Sequence, residues 1–285
     1  MLLSVFHDEV WLPSCVNLRE CTMVGYESAY RRHIGPRFGF VDMADITVAD
    51  VESWLAGIQS PGAARKAWAV LRAMLRKALR FGVLDVDITL RVQSPKQPYY
   101  RAPVLDARQI RTLLQGFYGH QLEAWLICAV TLGLRTEEGY GLEWSDIDLR
   151  TGVVHVSRGV QWVAGHEIVV DTKTEQSTRD VVLPRFAIQR LRELKGKGRL
   201  IGDLTPPQVA RRYASWCRRN NLPYVPARNL RHSWGTTALA AGVDVAVVSR
   251  ALGHSSISTT ARYYLRPETS VLKDAQRKWE ATILR

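Results

Sequence analysis

The chain has 285 residues, of which 46% are hydrophobic and 23% charged, and this balance argues against a disordered protein. Its formal net charge of +12 favours a polyanionic partner. The four cysteines have neither the spacing of a zinc site nor that of a disulfide framework, and no apolar run reaches the length of a membrane span. We therefore expect a cytoplasmic protein with free thiols.

The N-terminal part of the chain shows a helical pattern from about residue 17 to residue 90. Three polar breaks predict helix ends, at 35–36, 42–45 and 60–62. Thr47 is a candidate N-cap, with Asp50 in the first turn of the helix that follows. The pattern predicts a bundle of about four helices after a short N-terminal stub.

One helix of this bundle, predicted over residues 63–81, has two distinct faces. Its apolar face carries Trp68, Leu71, Leu75 and Leu79. A second stripe, about a quarter-turn away, carries four arginines: Arg65, Arg72, Arg76 and Arg80. Such a stripe can lie along a phosphate backbone, so we take these arginines as candidate DNA-binding residues. A solvated basic face has the same pattern, and the helix by itself does not decide between the two.

A polar segment with Pro95, Pro98 and Pro103 follows the bundle, and its composition is typical of a linker between domains. We therefore divide the chain into a helical domain over residues 1–92, a linker over 93–104 and a second domain over 105–285. Residues 1–100 carry 12 basic and 10 acidic side chains, whereas residues 101–285 carry 27 and 17. Most of the excess positive charge thus belongs to the second domain.

The second domain is predicted to be mostly helical, with one small antiparallel sheet. Asp106 is a candidate N-cap for its first helix, and Gln109 can reach back as in a capping box. A second, apolar helix is predicted over about residues 121–132. Further elements follow: strands at 153–157, 167–171 and 180–183, and helices at 185–195, 207–220, 229–241 and 245–252. The fold class is therefore mainly α, with a helical bundle before a mixed α/β domain.

Short motifs rich in basic and hydroxyl side chains follow one another in this domain. They are GLRTEE at 133–138, LEWSDID at 142–148, KTEQSTR at 173–179, LRHS at 230–233 and LGHSSISTTARY at 252–263. In kind and order they resemble the motifs of the tyrosine recombinases, the phage integrase family. The resemblance covers roughly residues 130–264. It extends in general plan to the helical bundle, which resembles the core-binding domain of that family.

The resemblance gives roles to the arginines of these motifs. Arg135 and Arg231 would grip the scissile phosphate of DNA, and Glu138 would orient the guanidinium of Arg135. Arg135 could instead cap the helix that precedes it. Arg228 stands where the family usually has His. Because an arginine cannot act as a general base near neutral pH, we expect Arg228 to add charge stabilisation.

The remaining motifs would supply the proton donor and the nucleophile. Lys173 would protonate the departing 5′ oxygen from a hairpin with its tip at 175–177, although a lysine in a polar hairpin is ordinarily just solvated. His254 would hydrogen-bond the phosphate, with a core or capping role as the alternative. Tyr263 would be the nucleophile. Tyr264 is the rival for that role, and packing is its other interpretation.

Two further features depart from the family or lie beyond its motifs. Gly139 and Gly141 stand where larger apolar residues are usual, and glycine weakens a helix by roughly 1 kcal/mol relative to alanine. Residues 268–285 have approximately the spacing of an amphipathic helix. This helix resembles the tail that family members pass to a neighbouring protomer, although it could equally pack on its own domain.

The resemblance implies a site-specific DNA recombinase of a phage or mobile element. Such an enzyme exchanges strands through a 3′-phosphotyrosyl intermediate and a Holliday junction, as a homotetramer on double-stranded DNA, without metal or cofactor. A prokaryotic host is implied, with a host DNA-bending protein or a directionality factor as further partners. Three alternatives remain open: a chromosome-dimer-resolving recombinase, a type IB-like topoisomerase, and a DNA-binding protein whose catalytic site has decayed.

Overall fold

The computed structural model describes residues 1–96, 102–171, 178–254, 256–264, 276–277 and 279–284, and only the backbone of residues 171 and 262–264. The chain divides into two compact units, Met1–Arg101 and Ala102–Arg285. The division falls inside the segment predicted as a linker, of which residues 97–101 lie outside the described part. Within the described residues, no helix is both long and apolar enough to cross a membrane.

The first unit is helical, and α5 is its longest helix. Its helices are α1 (Leu3–Phe6), α2 (Glu20–Ala29), α3 (Gly35–Phe38), α4 (Val48–Ala56) and α5 (Pro61–Arg80), with π-helical turns at His7–Trp11 and Tyr30–Ile34 and 3₁₀ turns at Pro13–Cys15, Met43–Asp45 and Ile88–Leu90. The predicted apolar face of α5 is confirmed at Trp68, Leu71 and Leu75, which are buried. The N-cap predicted at Thr47 is also confirmed, since its hydroxyl accepts from the Asp50 N–H.

The predicted helix end at Gly35-Pro36 is wrong, because the helix continues through both residues. α2 passes into the π-helical turn Tyr30–Ile34 and then into α3. The Gly35 N–H bonds to the carbonyl of Tyr30, five residues back, so the turn widens just before the proline. Proline lacks an N–H and crowds the carbonyl four residues earlier. A wider turn at this point lets the helix accommodate it.

The segment predicted as a short N-terminal stub forms part of the first core. Leu3, Phe6 and Trp11 are buried in the same cluster as the apolar face of α5. The Leu3 N–H bonds to the carbonyl of Val41 at 3.1 Å, which fastens the segment to the chain after α3. Short α, π and 3₁₀ turns alternate here, so the segment lacks the sustained helical period on which the sequence prediction relied.

The second unit is mostly helical, as predicted. Its helices are α6 (Ala107–Gly116), α7 (Glu123–Thr131), α8 (Thr136–Gly141), α9 (Arg185–Leu194), α10 (Pro206–Arg219), α11 (Ala227–Ala240), α12 (Val245–Leu252) and α13 (Ile257–Tyr264), with a 3₁₀ turn at Trp144–Asp146. The capping box predicted at Asp106 and Gln109 is confirmed by both of its hydrogen bonds. α7 is buried over most of its length and forms the centre of the second core.

The predicted strands are present, but they belong to two sheets. The strands are β1 (Ile147–Asp148), β2 (Val153–Val156), β3 (Arg158–Val163), β4 (His166–Asp171) and β5 (Arg179–Val182). β1, β2 and β5 form an antiparallel sheet in that order, in which Val154 lies opposite Ile147 on one side and Val181 on the other. β3, which the sequence analysis missed, pairs with β4 in a separate antiparallel hairpin.

The prediction of a hairpin around Lys173 is wrong in its strand pairing. The strands that flank residues 172–177 belong to different sheets, since β4 pairs with β3 and β5 pairs with β2. The turn of the β3–β4 hairpin lies at Ala164 and Gly165, whose φ angles are both positive, 49° and 93°. Asparagine, aspartate or glycine is usual at the first position of such a turn. Because this turn has alanine there, no residue pattern indicated it. Lys173 itself lies outside the described residues.

Candidate active site

A sharp turn between α7 and α8 presents Arg135. Gly133 has a left-handed conformation with φ of 62°, and Leu134 is buried. The Arg135 N–H donates to Glu138 Oε2 at 2.8 Å, and its guanidinium donates from Nη1 to Glu138 Oε1 at 2.6 Å. From Nη2 the guanidinium donates to the carbonyl of Gly253 at 2.8 Å. Arg135 therefore reaches across to the end of α12, and 31% of its side chain is exposed.

Arg231 reaches the same place from α11. Its side chain is buried and donates from Nη1 to the carbonyl of Gly133 at 2.8 Å. From Nη2 it donates to the carbonyl of Leu252 at 2.6 Å. The guanidiniums of Arg135 and Arg231 thus bind the carbonyls of consecutive residues. The fold brings together two arginines that lie in separate motifs of the sequence.

A third arginine, Arg179, completes this cluster and was given no role in the sequence analysis. It is the first residue of β5, and only 7% of its side chain is exposed. Its Nη1 and Nη2 donate to Glu138 Oε1 and Oε2 at 3.0 and 2.9 Å, and its Nε donates to the carbonyl of Ala251 at 2.7 Å. Its place as the last residue of the KTEQSTR motif was the available signal.

Glu138 is buried between Arg135 and Arg179. Burial alone would raise the pKa of its carboxyl, but hydrogen bonding to Arg179, the charge of Arg179 and the charge of Arg135 lower that pKa below the ordinary value. Glu138 is therefore ionised at neutral pH. Its negative charge compensates part of the positive charge that the arginines bring into a partly buried place.

The C-terminal end of α12 accepts hydrogen bonds from all three arginines. The carbonyls of Ala251, Leu252 and Gly253 bind Arg179, Arg231 and Arg135 respectively. Carbonyls at this end of a helix have no intrahelical partner and carry partial negative charge, so cations are favoured there. Gly253 ends the helix with φ of 65°, and a Cβ at this position would lie 3.2 Å from Arg179 Nη1. Glycine therefore allows both the turn and the close approach.

His254 follows this helix end directly. Its Nδ1 lies 2.7 Å from the hydroxyl oxygen of Thr260, which is fully buried in α13. Burial lowers the pKa of His254 to about 4, with further lowering by the positive charges of Arg231 and Arg135. The imidazole is therefore neutral at neutral pH. In that state one ring nitrogen is a donor and the other an acceptor.

His232 and Arg228 lie on α11, beside Arg231 in sequence. Arg228 is exposed, near the start of the helix. Burial, followed by the charges of Arg231 and Arg228, lowers the pKa of His232. His232, when protonated, would in turn lower the pKa of His254. Two neutral imidazoles therefore accompany the cluster of arginines.

An open groove of about 1160 Å³ adjoins this cluster. Arg179 and His254 both line it, together with residues of β5 and α12. Among the described residues, no group of three or more His, Cys, Asp or Glu side chains is placed to hold a metal ion. The side chains described at this place include guanidiniums and neutral imidazoles, whose N–H groups suit an anion such as a phosphodiester.

Two stretches of the sequence match family models. The pattern of the phage integrase family matches residues 103–270, and that of the N-terminal SAM-like domain of phage integrases matches residues 9–58. The chain belongs to the phage integrase family. It is thus a tyrosine recombinase, a member of a family of enzymes that cleave and rejoin DNA.

Several curated proteins are similar to this tyrosine recombinase over most of its length. A tyrosine recombinase XerC of Mesorhizobium japonicum is 27% identical over 291 residues, covering 90% of this chain and 89% of that protein. A putative prophage phiRv2 integrase of Mycobacterium tuberculosis is 26% identical over 276 residues, covering 90% of this chain and 72% of that protein. A XerC-like tyrosine recombinase of Caldanaerobacter subterraneus is 23% identical, covering 89% and 76%.

Solved structures of integrases share the fold. The Tn1549 transposon integrase in complex with a circular intermediate DNA has a TM-score of 0.78 and 16% identity, covering 98% of this chain and 99% of that chain. A lambda integrase tetramer bound to a Holliday junction has a TM-score of 0.71 and 17% identity, covering 94% and 79%. At these identities the likeness shows a tyrosine recombinase fold, and the fold class predicted from the sequence is confirmed.

Not every residue predicted for the site of this recombinase lies in the described part. Lys173 lies outside it, as does most of the tail at 268–285. The backbone of Tyr263 and Tyr264 is described as the last turn of α13, but their side chains are not. Arg135, Glu138, Arg231 and His254 are described, and they lie together.

α8 is helical at the two glycines that depart from the family pattern, and their lack of a side chain lets the helix pack closely. A Cβ on Gly141 would lie 3.1 Å from backbone atoms of Gly159 in β3. A Cβ on Gly159 would in turn lie 3.1 Å from the backbone of Glu137 in α8. A Cβ on Gly139 would lie 3.3 Å from the Trp125 indole nitrogen. Small residues here therefore set the distance between α8 and its neighbours, which outweighs their lower helix propensity.

The arginine stripe predicted on α5 is only partly available to a ligand. Arg65, Arg76 and Arg80 are exposed. Arg76 donates from Nε to the Thr89 hydroxyl at 3.1 Å. Arg72 is half-buried, and its Nε is buried without a hydrogen-bond partner in the described part of the chain. The DNA-binding role of the stripe stays a prediction.

Proposed function

We propose that this tyrosine recombinase is a site-specific integrase of a phage or mobile element. It would cleave and rejoin duplex DNA through a 3′-phosphotyrosyl intermediate at Tyr263 and a Holliday junction. The observation that carries the proposal is the convergence of Arg135, Arg231 and His254 at the end of α12. His254 is also hydrogen-bonded to Thr260, one helical turn before Tyr263.

In the proposed reaction, the phenol oxygen of Tyr263 attacks the scissile phosphorus and the bond from phosphorus to the 5′ oxygen breaks. The 3′ end stays linked to the tyrosine, and Lys173 donates a proton to the departing 5′ oxygen. The phenol proton passes to water or to a phosphate oxygen, because Arg228 cannot accept it. Attack by the 5′ hydroxyl of a partner strand then rejoins the DNA and releases the tyrosine.

The described side chains support the proposed phosphate site. Arg135 and Arg231 would lie beside the non-bridging oxygens with two permanent positive charges, and fixed donors of this kind stabilise a charged transition state without having to reorganise. His254 is neutral and can donate one hydrogen bond to the phosphate through Nε2 while Nδ1 accepts from Thr260. Arg228 adds a further positive charge from the same helix as Arg231.

The assembly on DNA is part of the proposal. We propose that residues 1–92 bind one side of the duplex, in part through Arg65, Arg72, Arg76 and Arg80, and that residues 105–285 bind the other side as the catalytic domain. A homotetramer would join two duplexes, by analogy with the lambda integrase tetramer on a Holliday junction. A host DNA-bending protein or a directionality factor would be a further partner in the prokaryotic cell.

Covalent trapping tests the function. The protein is incubated with DNA of its own element and host, the reaction is stopped with SDS, and the DNA ends attached to protein are sequenced. We expect attachment at one short inverted-repeat site in the wild type and in Tyr264→Phe, and none in Tyr263→Phe. Loss of attachment in Tyr264→Phe alone would show that Tyr264, and not Tyr263, is the nucleophile.

Other patterns of attachment would replace the proposed function. Attachment at scattered sites, together with relaxation of supercoils, would establish a type IB-like topoisomerase. Attachment only at a single site of the host chromosome would establish a chromosome-dimer-resolving recombinase. Tight DNA binding without any attachment would mean either that the catalytic site has decayed or that a required host partner is missing from the reaction.

A further inference from the structure

Arg179 holds both groups that hold Arg135. The Arg135 guanidinium is fixed at two points, Glu138 Oε1 and the carbonyl of Gly253. Arg179 binds both oxygens of Glu138, and it binds the carbonyl of Ala251, two residues before Gly253. The buried guanidinium of Arg179 thus supports both groups that fix the Arg135 guanidinium, the Glu138 carboxylate and the end of α12.

The contact with Glu138 fixes the plane of its carboxylate. Arg179 binds it as a fork, with Nη1 and Nη2 each donating to one oxygen at 3.0 and 2.9 Å. Such bidentate pairs define geometry as well as energy. Arg135 then binds the same two oxygens from another side, through its Nη1 and its backbone N–H. Without the fork, the carboxylate could rotate and take the Arg135 guanidinium with it.

The contact with α12 fixes the second anchor. Arg179 Nε donates to the Ala251 carbonyl at 2.7 Å, and Gly253 leaves just enough room for Arg179 Nη1 beside it. This contact keeps the end of α12 against β5, and so keeps the Gly253 carbonyl within reach of Arg135. Because His254 follows Gly253 directly, the same contact also helps to fix the position of the His254 backbone, and with it the position of the imidazole.

We propose that Arg179 is a positioning residue that holds the Arg135 guanidinium in place for the scissile phosphate. This inference rests on the proposed function. The side chain of Arg179 is buried, and each of its three nitrogens donates to a protein group, so it acts through Glu138 and α12. Its loss should therefore slow the cleavage step much more than it weakens DNA binding, since small displacements of a catalytic group are costly in rate.

The test compares Arg179→Gln and Arg179→Lys with a matched control, Arg190→Gln. Arg190, in the same unit, also binds both oxygens of a buried glutamate, Glu123, through its Nε and Nη2 at 2.6 and 3.0 Å. Within the described residues, neither Arg190 nor Glu123 forms a hydrogen bond or an ion pair with Arg135, Glu138 or α12. Single-turnover cleavage and the Kd are measured on a DNA site identified by covalent trapping, with the melting temperature as a measure of folding.

We expect Arg179→Gln to cleave about 100-fold more slowly, with Kd changed less than about 3-fold. Arg179→Lys keeps the charge but cannot form the fork, so we expect partial rescue, to about 10-fold below wild type. Arg190→Gln should lower the melting temperature and leave the cleavage rate of the folded protein unchanged. Wild-type rates in folded Arg179→Lys and Arg179→Gln would overturn the proposal, as would equal losses of rate in Arg179→Gln and Arg190→Gln.

A second measurement does not depend on DNA cleavage. The rotation rate of the Arg135 guanidinium is measured by ¹⁵N NMR in the free protein, in wild type and in Arg179→Lys, which should fold because the buried charge is retained. We expect faster rotation in Arg179→Lys and no change in Arg190→Gln. Unchanged rotation in Arg179→Lys would refute the positioning role even if the wild type cleaved no DNA, so failure here is distinct from failure of the proposed function.

Discussion

The imidazole of His254 is hydrogen-bonded to the hydroxyl of Thr260, with 2.7 Å between Nδ1 and Oγ1. This bond joins the residue proposed to contact the phosphate to the helix in which Tyr263 lies. Thr260 is fully buried and His254 partly so. Because the His254 pKa is lowered to about 4, the histidine is neutral, and the threonine can donate to Nδ1 and leave Nε2–H for the phosphate.

Substitution of Thr260 tests this arrangement. Thr260→Val keeps the shape of the side chain but removes the hydroxyl, and it leaves His254 Nδ1 without its partner. We expect a loss of roughly 1–3 kcal/mol in the free energy of unfolding and about a 10-fold slower single-turnover cleavage. Thr260→Ser keeps the hydroxyl and should retain the cleavage rate within about 3-fold. A valine variant that cleaves as fast as the serine variant would show that the hydrogen bond has no part in the reaction.

The lowered pKa of His254 predicts how stability depends on pH. In the unfolded chain the imidazole takes up a proton near its ordinary pKa of 6.5, whereas in the folded protein it does so near pH 4. Between these values the unfolded state binds more protons, so the contribution to stability is full above about pH 6.5 and is lost as the pH falls toward 4. Allowing for partial exposure, this contribution is roughly 1–3 kcal/mol.

Urea unfolding at a series of pH values measures this contribution against His254→Asn, which has no imidazole. His232 and His120 also have lowered pKa values and titrate in the same range, so the difference between the two proteins is the informative quantity. We expect the free energy of unfolding to fall more steeply from pH 7 to 5 in the wild type. Parallel curves would mean that His254 has an ordinary pKa in the folded protein.

Much of the site could be anticipated from the sequence, because Arg135, Arg231 and His254 each lie in a short contiguous motif. The role of Arg179 was not anticipated, although this residue ends the KTEQSTR motif. Its partners Glu138 and Ala251 are distant in sequence, and only the fold brings them to the start of β5. The Thr260 bond to His254 was missed for a similar reason, because a buried hydroxyl looks like any other threonine on a helix.

The secondary structure, too, was predicted in part and missed in part. Helices with a sustained apolar period, such as α5, were predicted closely, because burial of one face determines them. Errors arose where a local backbone feature decided the outcome. The π-helical turn before Pro36 carried a helix past its predicted end, and the turn at Ala164 and Gly165 paired β4 with an unpredicted strand. Such features depend on a few dihedral angles that composition does not reveal.

Gly133 is predicted to be indispensable to the site. Its φ of 62° is unfavourable for alanine, and a Cβ would lie 2.6 Å from Trp234 Cε3 and 3.0 Å from Leu252 Cδ2. We expect Gly133→Ala to lower the free energy of unfolding by roughly 2–5 kcal/mol, from backbone strain and overpacking together. Because its carbonyl binds Arg231, the variant should also cleave DNA more slowly than its loss of stability explains.

Gly198 provides the matched control for this substitution. Its φ of 68° is nearly the same, its carbonyl also accepts a hydrogen bond, and a Cβ there would meet nothing within 4 Å. Gly198→Ala should therefore lower the free energy of unfolding by about 1–2 kcal/mol, from backbone strain alone, and leave the cleavage rate unchanged. Equal losses in the two variants, measured by urea unfolding, would show that the close contacts of Gly133 with Trp234 and Leu252 do not constrain that position.

Substitutions of Arg228 test whether this position, where the family usually has histidine, acts through its positive charge or through proton transfer. If Arg228 acts through its positive charge, Arg228→Lys should cleave within about 3-fold of wild type and Arg228→Gln about 10-fold more slowly. Arg228→His separates charge from proton transfer by the sign of its pH dependence. A charge role predicts that its rate relative to wild type falls as the pH rises through about 6.5, because the imidazole loses its proton. A rate that instead rises through this range in single-turnover cleavage would show that the site can use a general base there.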